Sequence, residues 1–239
     1  MMLKSLKSFY YEQQFFPSLA GVFVNPFYFA RSGLCSAITE FAPTLKGKIL
    51  DVGCGSKPYI KLFTYEEYIG LDIDSPSSRA TGKADHFYDG NAFPFNANEF
   101  DSLICQVLEH VFNPNAFISE INKVLKARGK LLLTVPFVWD EHEQPYDYAR
   151  YSTFGLFSLL ENNGFKVLKH KKLGADISVV FQMLNAYLFK TIQNWPIYIR
   201  LAFTILVIGP ITLAGLIARK VLPANPDLFL DHAILAEKQ

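Results

Sequence analysis

Short apolar runs alternate with longer mixed runs over the first two thirds of the chain. Runs of strand length fall near 48–52, 68–72, 85–87, 101–105, 130–135 and 165–170. Between and before them, apolar residues at helical spacing predict helices near 33–42, 57–63, 114–127 and 152–163. Asn113-Pro114 fits the cap and first-turn proline of the third helix, and Gly164 fits the end of the fourth. A closing strand is expected over Leu228–Glu237. Strands alternating with crossover helices build a doubly wound, mostly parallel α/β sheet, here of seven strands. The expected organisation is an aromatic helical cap over 1–46, a core over 47–176, a hydrophobic helical insert over 177–226 and the closing strand over 227–239.

The first strand, Ile49-Leu50-Asp51-Val52, opens into Gly53-Cys54-Gly55, and the second ends at Leu71-Asp72-Ile73. Asp72 stands 21 residues after Asp51. A strand, a glycine turn, a helix and a strand ending in an acid is the layout of a nucleotide-binding half-sheet. Glycines serve where the backbone turns tightly and a ligand must approach without meeting a Cβ. The acid can accept both ribose hydroxyls. A dinucleotide fingerprint needs a third glycine three residues after the second, where this chain has Pro58. That argues for a nucleoside without phosphates and against a nicotinamide-dependent oxidoreductase.

The run ILDVGCGSKPY resembles the first motif of class I S-adenosylmethionine-dependent methyltransferases, of the small methyltransferase-domain type (family 11-like). Asp89-Gly90-Asn91-Ala92-Phe93-Pro94-Phe95 with Glu99-Phe100-Asp101 resembles the family's third-strand acid and the entry to its fourth strand. Cys105-Gln106-Val107-Leu108-Glu109-His110-Val111 resembles its LEHV segment, and Val124 to Leu133 resembles its fifth-strand entry, with Arg128 in place of a glycine. These motifs lie in order over residues 47–136. The resemblance implies a Rossmann-like methyltransferase that binds S-adenosylmethionine. Asp51 would fix the glycine loop and help to hold the methionine amine, while Gly53, Cys54 and Gly55 bring backbone to the cofactor. Asp72 would take the ribose beside Ile73, Asp89 the adenine amino group, Gly90 a ring nitrogen, and Gln106 the methionine end.

The segment Trp139–Ser152 follows the fifth strand, at the sheet edge where ligands bind. Its H-x-x-P-x-D-x-x-R pattern also resembles stretches found in small methyltransferases, and it is the expected acceptor side. His142 is the candidate base, since its ordinary pKa lies near neutrality. Asp147 and Arg150 are candidates beside it, or form an ion pair that holds the loop. His110 reads as a helix-start residue near the cofactor or as a second base.

From Asp176 to Asp227 there is no intervening acid, only Lys190, Arg200, Arg219 and Lys220. Leu201 to Ala218 is an uncharged run of 18 residues, divided by Gly209-Pro210. By length this is a candidate membrane span. The closing strand must return to the sheet, which favours a helical hairpin over 178–222 dipping into one leaflet from the cytoplasmic side. There, basic residues would meet anionic headgroups. A homodimer interface or a cover buried in the domain is the alternative. Residues 9–29 hold nine aromatics, read either as packing helices or as a surface that grips membrane or substrate.

Composition narrows the partners. Half of the residues are hydrophobic and the net charge is +1, so no nucleic-acid footprint is expected. Cys35, Cys54 and Cys105 form no CxxC pair. Neither a metal nor a disulfide framework is expected, and a reducing compartment fits. Lys4 and Lys7 are followed by aromatics broken by Glu12, Gln13 and Gln14, unlike a secretory signal. The function expected is methyl transfer to O or N of a small or lipid-linked acceptor, at the inner face of a membrane. A non-catalytic, membrane-associated cofactor-binding protein is the alternative.

Overall fold

The structure is a computed structural model that describes residues 2–239, with side chains from residue 8 onward. The side chains of Lys4 and Lys7 lie outside the described residues. Three helices lead in: α1 (Met2–Phe15), α2 (Gly21–Val24) and α3 (Tyr28–Phe41). The strands are β1 (Lys48–Val52), β2 (Glu67–Ile73), β3 (His86–Tyr88), β4 (Phe100–Cys105), β5 (Leu125–Pro136), β6 (Phe165–Leu173) and β7 (Asp231–Lys238). Helices α4 (Pro76–Thr81), α5 (Pro114–Val124) and α6 (Thr153–Asn162) connect them. The insert before β7 holds α7 (Ser178–Thr191), α8 (Ile197–Phe203) and α9 (Gly209–Val221).

All seven strands join one sheet in the order β3-β2-β1-β4-β5-β7-β6. β1 pairs in parallel with β2 and with β4, so Asp51 stands between Gly70 and Ile104. The strand order reverses at β1, and the loops after β1 and β4 diverge from one crevice, which is where open α/β sheets bind ligands. β7 runs antiparallel to β6: Leu230 N donates to Leu173 O and, at the other end, Gln239 N donates to Gly164 O.

The chain divides into two compact units. One holds residues 37–137, 141–171 and 232–239, and therefore most of the sheet. Leu50 and Val52 of β1, Leu103 and Cys105 of β4, and Leu131 and Leu133 of β5 are fully buried in its core. Helix α5 lays Phe117, Ile118, Ile121 and Val124 on that core, the spacing of one helical stripe. Each such buried side chain contributes about 1.5–3 kcal/mol. Asn113 caps α5 by accepting from Ala116 N at 3.3 Å, with Pro114 in the first turn.

Two expectations change here. The segment 57–63 forms no α-helix; only a 3-10 turn, Ile60–Leu62, occurs there. Lys57 adopts φ 53°, outside the helical region, so a helix cannot begin at it. A short helix that the apolar pattern did not predict, α4, follows β2. The hydroxyl of Ser75 accepts from Ser78 N at 3.1 Å, Pro76 opens α4, and Gly82 closes it at φ 60°. Its signals are caps, without an apolar stripe.

The other unit holds residues 1–36, 138–140 and 172–231. The insert packs here on the N-terminal aromatic segment. Gln182 on α7, fully buried, accepts from Phe29 N at 3.0 Å and Ala30 N at 3.2 Å and donates to Pro26 O at 3.0 Å. Asn185 of α7 donates to Thr212 Oγ1 of α9 at 2.9 Å. A Cβ on Gly215 would lie 2.8 Å from both Phe29 and Phe181, so the lack of a side chain lets these aromatics close in. Gly209-Pro210 does not end the helix. The backbone widens into a π-turn over Thr204–Ile208 just before it, with Gly209 N bonded to Thr204 O, and continues to Val221. A π-turn accommodates the donor that proline lacks. The continuous helix Ile197–Val221 is long and apolar enough to cross a membrane, and only 28% of its most apolar window is buried.

Candidate functional site

The glycine turn after β1 is fastened by β2. Gly53 N and Cys54 N both donate to Leu71 O, at 2.9 and 3.2 Å, and Gly55 N donates to Asp72 Oδ2 at 3.2 Å. Gly53 has φ 73°, and a Cβ there would overlap Val107 Cγ1 and stand 2.9 Å from Cγ2. Gly55 has φ 46°, and a Cβ there would meet nothing within 4 Å. The first glycine thus serves packing, and the second leaves open space beside the Asp72 carboxylate. Cys54 is buried, and burial pushes its thiol up to about 12, so it is an apolar filler and not a nucleophile.

Asp51 is expected to hold the loop; its carboxylate instead takes the hydroxyl of Tyr68, Oδ2 to Oη at 2.7 Å. Leu71 and Asp72 fasten the turn. Burial raises the Asp51 carboxyl to about 6, against the stabilising hydrogen bond from Tyr68 and the nearby Lys57 charge. Lys57 pairs with Asp85, which also accepts from Gly70 N at 2.7 Å.

At the end of β2, Asp72 Oδ1 accepts from Ile73 N at 2.9 Å. Ile73 is exposed, and its Cδ1 lies 3.3 Å from where a Gly90 Cβ would be. Gly90, at φ 90°, lets Ile73 and the turn after β3 come together. Asp89 accepts from Asn91 N at 3.0 Å and Asn91 Nδ2 at 3.1 Å, which holds its carboxyl below the usual range. Asp89 therefore builds its own turn while remaining exposed. Gln106, just past β4, donates to Thr134 Oγ1 on β5 at 3.1 Å. Its position in the sequence is that of the expected methionine-end contact. These residues fit a nucleoside with a charged tail: a carboxylate for diol hydroxyls, an apolar side chain for a base, room at a glycine and a buried acid for an amine.

The expected acceptor segment divides between the units. Trp139 and Asp140 belong with the insert, where Trp139 rests on Phe27 at 5.8 Å and Asp140 pairs with Lys190 at 2.8 Å. Residues from Glu141 onward belong with the sheet. There Arg150 grips Asp147 with both terminal nitrogens, at 2.6 and 2.7 Å. The Asp147 side chain is 4% exposed, and Arg150 holds its carboxyl down at about 2. This is the loop-holding ion pair. Asp147 also accepts from His142 N at 3.0 Å and stands 3.2 Å from His142 Nδ1, so it positions the histidine. Arg150 Nη2 lies 3.5 Å from the same ring nitrogen.

Beside His142 sits a residue that the sequence reading passed over. Glu109 lies in the 3-10 turn Leu108–His110 after β4, buried, with its Oε1 3.7 Å from His142 Nε2 and 3.8 Å from His110 Nε2. The two rings meet edge to face at 4.8 Å. Glu109 O also accepts from Tyr148 N at 2.9 Å, tying the loop to the turn. The only sequence signal was the Glu-His pair inside a motif read for its cofactor side.

Residues 50–133 match a family model described as a methyltransferase domain. An uncharacterized protein of Methanocaldococcus jannaschii is 29% identical over 139 residues, 52% of this chain and 67% of that protein. A solved structure of the [4+2]-cyclase SpnF superposes with TM-score 0.58 at 18% identity, over 87% of this chain and 82% of that one. The Haemonchus contortus phosphoethanolamine N-methyltransferase 2, solved with S-adenosyl-L-methionine, gives TM-score 0.55 at 15% identity, over 95% of this chain and 59% of that one. At such identities the structures establish the fold, and a cyclase among them shows that the fold alone does not name a reaction. With its motifs, its strand order and the family match over residues 50–133, the chain carries a methyltransferase domain of the class I, S-adenosylmethionine-dependent type, with S-adenosylmethionine as cofactor.

Proposed function

We propose that this methyltransferase moves a methyl group to an oxygen or nitrogen of a lipid or lipid-linked acceptor, working as a peripheral protein at the cytoplasmic face of a membrane. The observation that carries the reading is the helix Ile197–Val221, which leaves Leu206, Leu213, Ile217 and Val221 exposed. Monomeric soluble proteins rarely leave so much apolar surface open without a use. Lys220 and Arg219 stand at one end of this helix; Arg219 pairs with Asp176 at 3.2 Å. Of the four basic residues expected to meet headgroups, Lys190 and Arg219 are thus engaged by acids, so apolar burial is the larger part of any attachment.

S-adenosylmethionine supplies a methyl group already activated by the sulfonium. The chain's task is then to hold two reactants in line. Asp72, Ile73 and Gly90 would hold the nucleoside, Asp51 the amine, and Gly55 and Gln106 the backbone contacts to the tail. His142, positioned by Asp147 and Arg150, would meet the acceptor. A role as a cofactor-binding adaptor without turnover is the second reading, and it rests on the same exposed helix.

Mass spectrometry of membrane extracts from cells with and without the gene tests the acceptor. A lipid or lipid-linked species lacking one methyl group in the deleted strain is expected. Unchanged lipids with a changed water-soluble metabolite would overturn the lipid reading. Flotation with anionic liposomes tests attachment: protein that stays at the bottom and forms a dimer through 178–222 would replace the membrane by a second subunit.

A further inference from the structure

We propose that Glu109, His110 and His142 form a binding site for a divalent transition-metal ion. The ligand atoms of these three side chains lie within 4.8 Å of one another. Two atoms bound to one tetrahedral ion at about 2.1 Å each stand about 3.4 Å apart. Glu109 Oε1 already lies 3.7 and 3.8 Å from the two Nε2 atoms, so small side-chain rotations close these distances.

The hydrogen bonds behind the cluster decide which nitrogen is available. His110 Nδ1 lies 2.8 Å from Tyr146 O. A carbonyl only accepts, so Nδ1 carries the hydrogen and a neutral His110 turns the lone pair of Nε2 toward Glu109. His142 Nδ1 lies 3.2 Å from Asp147 Oδ2, and Arg150 Nη2, 3.5 Å from that nitrogen, donates to Asp147 at 2.7 Å. His142 is thus oriented in the same way, by a carboxylate. An acceptor behind each ring is the arrangement that fixes metal-ligating histidines and raises their basicity.

A second observation is independent of the rings. The Glu109 side chain is 7% exposed, and its Oε2 is buried and accepts no hydrogen bond among the described residues. A buried carboxylate left in that state is costly. The two imidazole nitrogens approach its other oxygen, Oε1, at 3.7–3.8 Å, too far for a hydrogen bond. A cation between the three groups would compensate the buried carboxylate charge and take both imidazole lone pairs at once.

Two imidazoles and one carboxylate suit Zn²⁺, Mn²⁺ or Fe²⁺, with Zn²⁺ bound at this ligand set in hydrolytic enzymes. Three protein ligands leave a position for water or for an oxygen of the acceptor, whose proton then passes more easily to solvent. This last role rests on the proposed methyl transfer; the binding of metal does not.

Co²⁺ titration of the full chain, followed by visible absorption, tests the site without activity. We expect one equivalent of Co²⁺ to give d–d bands that Zn²⁺ displaces. His110→Ala and His142→Ala should each abolish the bands while the circular dichroism spectrum is kept. Asp147→Asn should weaken binding about 10–100-fold, as loss of a supporting partner does. If Glu109→Gln fails to fold, the histidine variants decide. Absence of bands and of Zn²⁺ binding by the wild-type chain, or bands that survive both histidine substitutions, would overturn the proposal.

Discussion

Replacing each glycine of the turn by alanine separates packing from cofactor approach. At Gly53, alanine must hold φ 73° and overlap Val107. A left-handed backbone costs about 1–2 kcal/mol without glycine, and overpacking costs about 1–3 kcal/mol more. The sum is about 2–5 kcal/mol. For a chain of this size each kcal/mol lowers Tm by about 2–4 °C, so Gly53→Ala should lose at least about 4 °C. At Gly55, alanine at φ 46° meets nothing within 4 Å, so only the backbone cost applies. Its methyl group would instead enter the open space proposed for the cofactor. An overlap of about 1–3 kcal/mol at that point weakens binding about 5- to 150-fold. Thermal unfolding of both variants, with calorimetric titration of S-adenosylmethionine, reads the two effects. Gly55→Ala with wild-type affinity would refute the assignment of that space to the cofactor. Gly53→Ala with unchanged Tm would refute the packing role.

Three further outcomes follow from the site. Asp72→Ala should weaken S-adenosylmethionine more than about tenfold, because a hydrogen bond to a charged group is worth about 1.5–3 kcal/mol; unchanged affinity by calorimetry contradicts it. Asp51 is raised to about 6, so its carboxyl is largely protonated below that pH, and the affinity for an ammonium group should rise from pH 5 to 7 and then level off. An Asp51→Asn variant should lose that dependence, and a pH profile that survives the substitution places the titrating group elsewhere. Asp147 is depressed to about 2, so its contribution to stability is present above its ordinary value near pH 4 and is lost as pH falls through 2. Arg150→Ala leaves that nearly buried charge unpaired and should cost about 3–5 kcal/mol in chemical denaturation at neutral pH, whereas a loss under 1 kcal/mol would contradict the pairing.

The apolar runs make β1, β4 and β5 legible, because buried parallel strands leave little room for polar residues. Asn113-Pro114 and the glycine turn were legible because local backbone demands select those residues. The missing helix at 57–63 was not, since Tyr59, Ile60, Leu62 and Phe63 mimic a helical stripe while Lys57 turns left-handed and pairs with Asp85. Arg128, noted as a departure from a glycine, takes φ 63°, so the turn keeps the glycine conformation without the glycine. The Glu109, His110 and His142 cluster joins two loops far apart in sequence, and no periodicity reports such a meeting. Nor does the sequence show that the insert closes on Phe29 and Ala30 through Gln182, because a polar residue in an apolar helix looks the same exposed or buried.

On the proposed function, S-adenosylmethionine gives its methyl group to a membrane acceptor. The most direct measurement incubates the purified chain with methyl-labelled S-adenosylmethionine and membranes from the deletion strain, then partitions the products between organic and aqueous phases. We expect label in the organic phase with the wild-type chain and little with Asp72→Ala. Cofactor binding without label in either phase would contradict catalysis, and label in the aqueous phase alone would contradict the lipid acceptor.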